Sequence, residues 1–279
     1  MPRFNVCLPE PDGYAFSRCL FEFAELVTFS LRDLGYDAIL SVNDIHSDRR
    51  NVIVGCHLMA ADLMTLVPPS TVVVNSEQIY DEDRFAWNDR IFSWARNFET
   101  WDYSPKNIAA FDRLGIPGVK LLQIGHQPQL TRITPAADQD IDVLFYGSIT
   151  DRRLAVFQQI RDRGLKLTTL FKVFGAERDE YIARAKVVLN MHNHTSEIFE
   201  VVRAHYLLSN AVAVVSEVNT STSIPAAYHD AVAGVPYESL AEECERLVAD
   251  DTARNALQHR AISVISRYPQ TDYTRQVLG

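Results

Sequence analysis

The sequence predicts an α/β protein of two doubly wound, Rossmann-like domains facing a cleft. Three observations carry this reading. Short apolar runs alternate with helix-patterned stretches over nearly the whole chain. A polar, proline-containing stretch at 127–140 interrupts the alternation, which then resumes. Polar side chains collect directly after the apolar runs of the second half, where open parallel sheets bind ligands. Residues 1–126 then form the first domain, 127–140 a linker and 141–279 the second domain, whose last helix is free to return to the first. A chain of 279 residues suits two domains, each of about 130 residues.

The elements follow in order. Phe4–Leu8 is an apolar run stopped by Pro9 and Pro11. Phe16–Leu34 carries apolar residues at helical spacing and ends at Gly35, a usual helix stop. Ala38–Val42, Asn51–Gly55 and Thr71–Asn75 are compact β-branched runs, as buried parallel strands require. Arg84–Phe98 is helical, and Lys120–Gly125 is one more strand. After the linker come strands at Asp142–Tyr146, Leu167–Phe171, Val187–Met191 and Val212–Ser216. Helices at Asp151–Arg163, Arg178–Lys186 and Ile198–Leu208 separate them, and Leu240–Arg267 forms an amphipathic tail.

Composition narrows the partners. Hydrophobic residues at 47% and charged residues at 23% give a globular chain with a core. The net charge of −9 repels phosphate backbones, so no long nucleic acid is expected as a partner. Cys7, Cys19, Cys56 and Cys244 are scattered without a C-x-x-C pair and read as free thiols of a reducing compartment. The N-terminus reads as a first strand rather than a signal peptide, and no apolar run approaches the ~20 residues of a transmembrane helix. The expected location is cytoplasmic. No H-E-x-x-H, G-x-S-x-G, Walker loop or G-x-G-x-x-G occurs, which removes support for proteases, esterases, ATPases and classical dehydrogenases.

The strand ends of the second half hold the candidate binding residues. Gly147 and Ser148 open a turn into a helix, where backbone N–H groups and the helix N-terminus attract a phosphate. Arg153, one turn on, offers a forked pair of donors. Val173 and Phe174 occupy a second strand-to-helix loop suited to a nucleobase. Asn190, His192, Glu197, Glu200 and Arg203 cluster after a third strand. Glu200 and Arg203 share a helix face, and a carboxylate there can accept from both ribose hydroxyls. His192 and His194 lack the cysteine or carboxylate neighbours of a metal site, so none is expected.

The order N-x-H, E-x-x-R, L-L-S-N, S-E across Asn190–Glu217 resembles the second domain of bacterial GT-B glycosyltransferases. The resemblance is nearest to the spore-maturation CgeB-like group. Ser76-Glu77-Gln78, Trp101-Asp102-Tyr103-Ser104 with Asn107, and Phe145-Tyr146-Gly147-Ser148 with Arg152-Arg153 extend it from about Asn51 to Tyr237. It implies a UDP- or GDP-linked sugar donor held by the second domain and a glycan, lipid-linked or protein acceptor at the first. It also implies no required metal and no cofactor beyond the donor. The expected activity is a metal-independent, hexosyltransferase-like transfer. The pattern departs in one place: many retaining GT-B enzymes carry two glutamates spaced as Glu197 is from His205, and here the second is a histidine.

Transfer to a hydroxyl needs a stabilised leaving diphosphate and, on an inverting course, a base. Three first-half residues stand after strands: Asp12, His57 and Glu77. Each also has a structural reading, as a cap, a core histidine and a hydrogen-bonder respectively. Asp81-Glu82-Asp83 has the D-x-D form of a metal–diphosphate motif but precedes a helix, where acidic residues suit the first turn. Two rival readings remain: a catalytically degenerate GT-B-like module that binds a glycan or protein, and a non-transferase enzyme such as a sugar-nucleotide epimerase.

Overall fold

The computed structural model describes residues 2–79, 87–193 and 198–279. Two units divide the chain: Met1–Gln127 with Pro269–Gly279, and Pro128–Tyr268.

The first unit holds a six-stranded sheet of β1 (Arg3–Leu8), β2 (Asp37–Val42), β3 (Arg50–Val54), β4 (Val72–Asn75), β5 (Glu99–Asp102) and β6 (Lys120–Leu121). The strand order is β2-β1-β3-β4-β5-β6, and every pairing is parallel. Val52–Val54 and Val72–Val74 are wholly buried, which is why these runs are uniformly apolar rather than alternating. Helices α1 (Phe21–Asp33), α2 (Trp87–Asn97) and α3 (Pro105–Arg113) belong to this unit. α1 buries Phe23, Ala24, Leu26, Val27 and Leu31, one stripe at helical spacing.

The second unit has a five-stranded sheet of β7 (Ile141–Tyr146), β8 (Leu167–Leu170), β9 (Ala185–Asn190), β10 (Val214–Glu217) and β11 (Ala233–Val235). Its order is β11-β10-β9-β7-β8, again all parallel. Its helices are α4 (Asp151–Asp162), α5 (Gly175–Arg184), α6 (Val201–Ser209), α7 (Ala226–His229), α8 (Leu240–Ala249) and α9 (Asp251–Ile265). The core joins Val143, Phe145, Val187 and Leu189 of the sheet to Phe157 and Leu247 of the helices. The last helix, α10 (Gln270–Leu278), lies in the first unit, where the Ser30 and Thr274 hydroxyls pair at 2.7 Å.

The structure departs from the sequence reading at several places. The helix expected from Phe16 starts with a 3-10 turn, Ala15–Leu20, and becomes α-helical only at Phe21. β6 stops after two residues because the chain turns to meet α10, and the Gly125 N–H donates to Gln270 Oε1 at 2.7 Å. The tail helix is two helices: Asp250 leaves helical geometry and caps α9 by accepting from the Ala253 N–H at 2.9 Å. β11 and α7 have no counterpart in the sequence reading, being three and four residues long. Residues 128–140 are pinned within the second unit rather than loose, since Asn210 Oδ1 accepts from the N–H groups of Arg132 and Ile133 at 2.7 Å each. Residues 269–279, counted with the second domain but with a last helix free to return, belong to the first unit.

Candidate active site

In the second unit β8 lies on one side of β7, and β9, β10 and β11 lie on the other. The topological switch point therefore falls between β7 and β9, and ligands of open α/β sheets bind at the carboxyl ends there. The two strand ends present Gly147-Ser148 and Asn190-Met191-His192. Gly147 has φ +135°, a conformation that L side chains rarely adopt. A Cβ at this position would lie 2.9 Å from Arg203 Nη2 and 3.8 Å from Arg153 Nη1. Two guanidinium groups, from α4 and α6, thus stand over a turn stripped of side chain. Gly147→Ala is expected to lower stability by about 1–3 kcal/mol through backbone strain, read as a lower urea midpoint, and to displace Arg203.

The two arginines differ in what they hold. Arg153 is 2% exposed, donates to the carbonyls of Ser148 and Met191 at 2.8 Å each, and lies over the Phe145 ring at 5.0 Å. It ties the end of β7 to the end of β9. Burial, and then the neighbouring Arg203, push its pKa down from 12.5 to about 10, so it stays charged at neutral pH. Its terminal nitrogens are engaged with main chain, so it supplies positive potential rather than the open fork that sequence spacing suggests. Arg203 donates to Asn190 Oδ1 at 3.2 Å and lies over the rings of Phe145 and Tyr146 at 5.6 and 5.2 Å. Asn190 in turn donates to the Ser216 hydroxyl at 2.9 Å, which links β9, β10 and α6.

His192 is 1% exposed, and neither ring nitrogen has a partner among the described residues. Burial lowers its pKa against the pull of Glu217 and Glu200, which gives a neutral imidazole with both nitrogens unused. A buried polar ring without partners costs free energy unless something pairs with it. Its main-chain N–H donates to Glu217 Oε2 at 3.1 Å. Glu217 is 1% exposed and also accepts from Arg152 Nη1 at 2.7 Å and from Asn219 Nδ2 at 2.9 Å. Arg152 lies 3.9 Å over the Tyr237 ring, whose hydroxyl donates to the Arg152 carbonyl at 2.6 Å.

The remaining second-half residues are placed as follows. Val173 and Phe174 are half-buried in the loop between β8 and α5. Glu200 caps α6, and its carbonyl accepts the Arg203 and Ala204 N–H groups at 3.2 and 3.0 Å. Glu197 and His194, with Asp81, Glu82, Asp83 and the start of the helix expected from Arg84, lie outside the described residues. His205 is wholly buried on α6, its Nδ1 3.3 Å from the Val201 carbonyl. Arg178 opens a helix in the sequence reading but is not among its expected binding residues. It is 4% exposed, pairs with Asp179 at 2.7 Å and lies over Tyr146 at 5.7 Å. Its signal is its place in the first turn of α5, immediately after the β8 loop.

In the first unit the switch point falls between β1 and β3. The structure brings two of the three candidate catalytic residues together: His57 Nε2 lies 3.5 Å from Glu77 Oε1. His57 is 3% exposed and meets the Trp87 ring edge-on at 5.1 Å. Burial, then the Arg90 charge, drive its pKa to about 3, so the ring is neutral. Asp12 lies in an exposed turn closed by the Tyr14 N–H on the Pro11 carbonyl at 3.0 Å.

Solved structures match over nearly the full length. The T4 phage BGT in complex with UDP and Mn2+ aligns at TM-score 0.60 and 9% identity over 99% of this chain and 98% of that one. AviGT4, a glycosyltransferase involved in avilamycin A biosynthesis, aligns at 0.56 and 14% over 100% and 99%. Anabaena Alr3699/HepE in complex with UDP aligns at 0.57 and 12% over 100% and 98%. The chain has the GT-B fold. Two proteins of Acanthamoeba polyphaga mimivirus described as uncharacterized are also similar to this GT-B chain. L140 is 23% identical over 220 residues, 75% of this chain and 69% of that protein. L138 is 33% identical over 81 residues, only 28% of this chain and 9% of that protein. No protein-family model matches. No helix among the described residues of the GT-B chain is long and apolar enough to cross a membrane.

Proposed function

We propose that the protein is a glycosyltransferase that moves a hexosyl group from a UDP- or GDP-linked donor to an acceptor hydroxyl without a metal ion. The observation that carries this reading is the pair of guanidinium groups beside Gly147 at the switch point of the second sheet. UDP in the solved GT-B neighbours and the motif likeness to the CgeB-like group support it. The donor's diphosphate sits against the Gly147 turn, with charge stabilisation from Arg203 and Arg153 as the bond to the sugar breaks. His192, Asn190 and Glu200 face the rest of the donor, and Val173 and Phe174 the base. In the first unit Glu77 takes the acceptor proton, with neutral His57 beside it. The acceptor is a glycan, a lipid-linked glycan or a protein, and the protein acts in the cytoplasm.

Arg203→Ala is expected to weaken UDP or GDP binding by about 1–3 kcal/mol, as lost charge-assisted hydrogen bonds do. Calorimetry that finds both nucleotides bound as tightly as by the wild type would reject the site. Transfer is expected to survive EDTA, and a requirement for added manganese would reject the metal-free course. The alternative reading, a GT-B module that binds without turnover, takes support from His205, buried where a second glutamate is usual. Slow UDP-glucose hydrolysis that vanishes in the Glu77→Gln variant would exclude it.

A further inference from the structure

At the carboxyl end of β5, Asp102 is wholly buried, and among the described residues no arginine or lysine donates to it. A carboxyl without a cation in such a place is costly, and an apolar residue of similar size serves a core as well. Burial pushes its pKa up from 3.8 to about 7, against hydrogen bonds from Asn75, Ser104 and Asn107. Every partner it has is a donor. Asn75 Nδ2 donates at 2.7 Å, the Ser104 N–H at 2.7 Å, and Asn107 Nδ2 to both oxygens at 3.1 Å.

The same two asparagines hold the Glu77 segment. Asn75 Nδ2 and Asn107 Nδ2 donate to the Glu77 carbonyl at 2.8 and 2.9 Å. Asn75 Oδ1 accepts the Glu77 N–H at 3.1 Å, and Asn107 Oδ1 accepts the Ile79 N–H at 3.0 Å. An amide side chain can present either end, and here the choice matters. The ionised carboxyl, the form that its surrounding donors favour, only accepts, so it turns both NH2 groups inward and leaves both Oδ1 atoms for the Glu77 and Ile79 N–H groups. Both asparagines are at most 1% exposed, so no solvent competes for these positions.

We propose that Asp102 is a positioning residue: by fixing the orientation of the Asn75 and Asn107 amides, it holds the Glu77 main chain so that the carboxylate stands beside His57. The catalytic value of this brace rests on the reading of Glu77 as the base, but the brace itself does not. Asp102→Asn keeps the shape and replaces one accepting oxygen with a donor, so in either orientation Asn107 Nδ2 keeps only one of its two oxygens, and either Asn75 Nδ2 or the Ser104 N–H loses its acceptor.

The test is amide hydrogen exchange by NMR on the full chain, wild type against D102N. Exchange at Glu77 and Ile79 is expected to speed up by about tenfold or more, while the amides of β1 and β3 keep their protection. UDP affinity is expected to stay at the wild-type value. UDP-glucose hydrolysis per folded molecule is expected to fall roughly 10- to 100-fold in kcat with KM kept, the pattern of a misplaced group rather than of a smaller folded fraction. Wild-type protection at Glu77 and Ile79 in D102N overturns the proposal. If D102N does not fold, Asp102→Ser takes its place with the same readings, because a hydroxyl reaches at most one of the two amides. If protection falls but Glu77→Gln hydrolyses UDP-glucose as the wild type does, the brace stands and the base assignment fails.

Discussion

With Glu77 as the proposed base, Glu77→Gln is expected to lower sugar transfer by roughly 100- to 10,000-fold, the usual worth of a positioned general base. The substitution keeps the size of the side chain and removes its ability to take a proton. Because Glu77 belongs to the first unit and the Gly147 turn to the second, UDP affinity stays near the wild-type value. His57 cannot take over: its ring is neutral, with a pKa driven to about 3, and a group so weakly basic is a poor proton acceptor. His57→Ala is therefore the milder variant, acting on the orientation of Glu77 across their 3.5 Å contact. Steady-state rates at saturating donor decide the matter. A Glu77→Gln enzyme within a few-fold of wild type removes Glu77 from the chemistry.

Glu217→Ala destabilises the second unit by about 3 kcal/mol, the lower end for a broken buried pair, since the Arg152 side chain keeps 22% exposure. The loss strands more than one group. Arg152 loses its carboxylate, and the His192 main-chain N–H and Asn219 Nδ2 lose their acceptor. Thermal unfolding is expected to show it as a drop of roughly 6–12 °C, by the entropy of a unit the size of Pro128–Tyr268. The same group sets an acid limit. Burial raises the Glu217 pKa, but the hydrogen bonds from Arg152 and Asn219 outweigh it and hold the group below its ordinary 4.5. A depressed folded-state pKa means stability that is present above 4.5 and lost as pH falls through the folded value. Glu217→Gln therefore flattens the acid limb of the urea midpoint against pH. An unchanged slope below pH 4.5 would mean that other carboxylates set that limb.

The parallel sheets were legible because their strands are buried on both faces. Val72–Val74 and Val52–Val54 read as strands from composition alone. The strand ends were legible for a related reason: polar residues directly after such runs have no structural need to be there. Pairing was not legible. Nothing in the spacing of Asn75, Asp102 and Asn107 says that they share hydrogen bonds, although the family-like motifs contain Asp102 and Asn107. Arg153 shows the converse limit. Its place in the first turn of α4 suggested a ligand donor, but its terminal nitrogens go to the Ser148 and Met191 carbonyls. Short elements such as β11 escape periodicity because three residues complete no pattern.

The return of α10 to the first unit has a consequence for biosynthesis. The second unit is one uninterrupted stretch, Pro128–Tyr268, and none of its internal contacts needs residues 269–279. The first unit is split: the Gly125 N–H waits for Gln270, and the Ser30 hydroxyl for Thr274. Although its sheet emerges from the ribosome first, it closes last, so the usual amino-to-carboxyl order of domain completion is inverted. A released chain that ends at Tyr268 should hold a finished second unit and a first unit that proteases still cut.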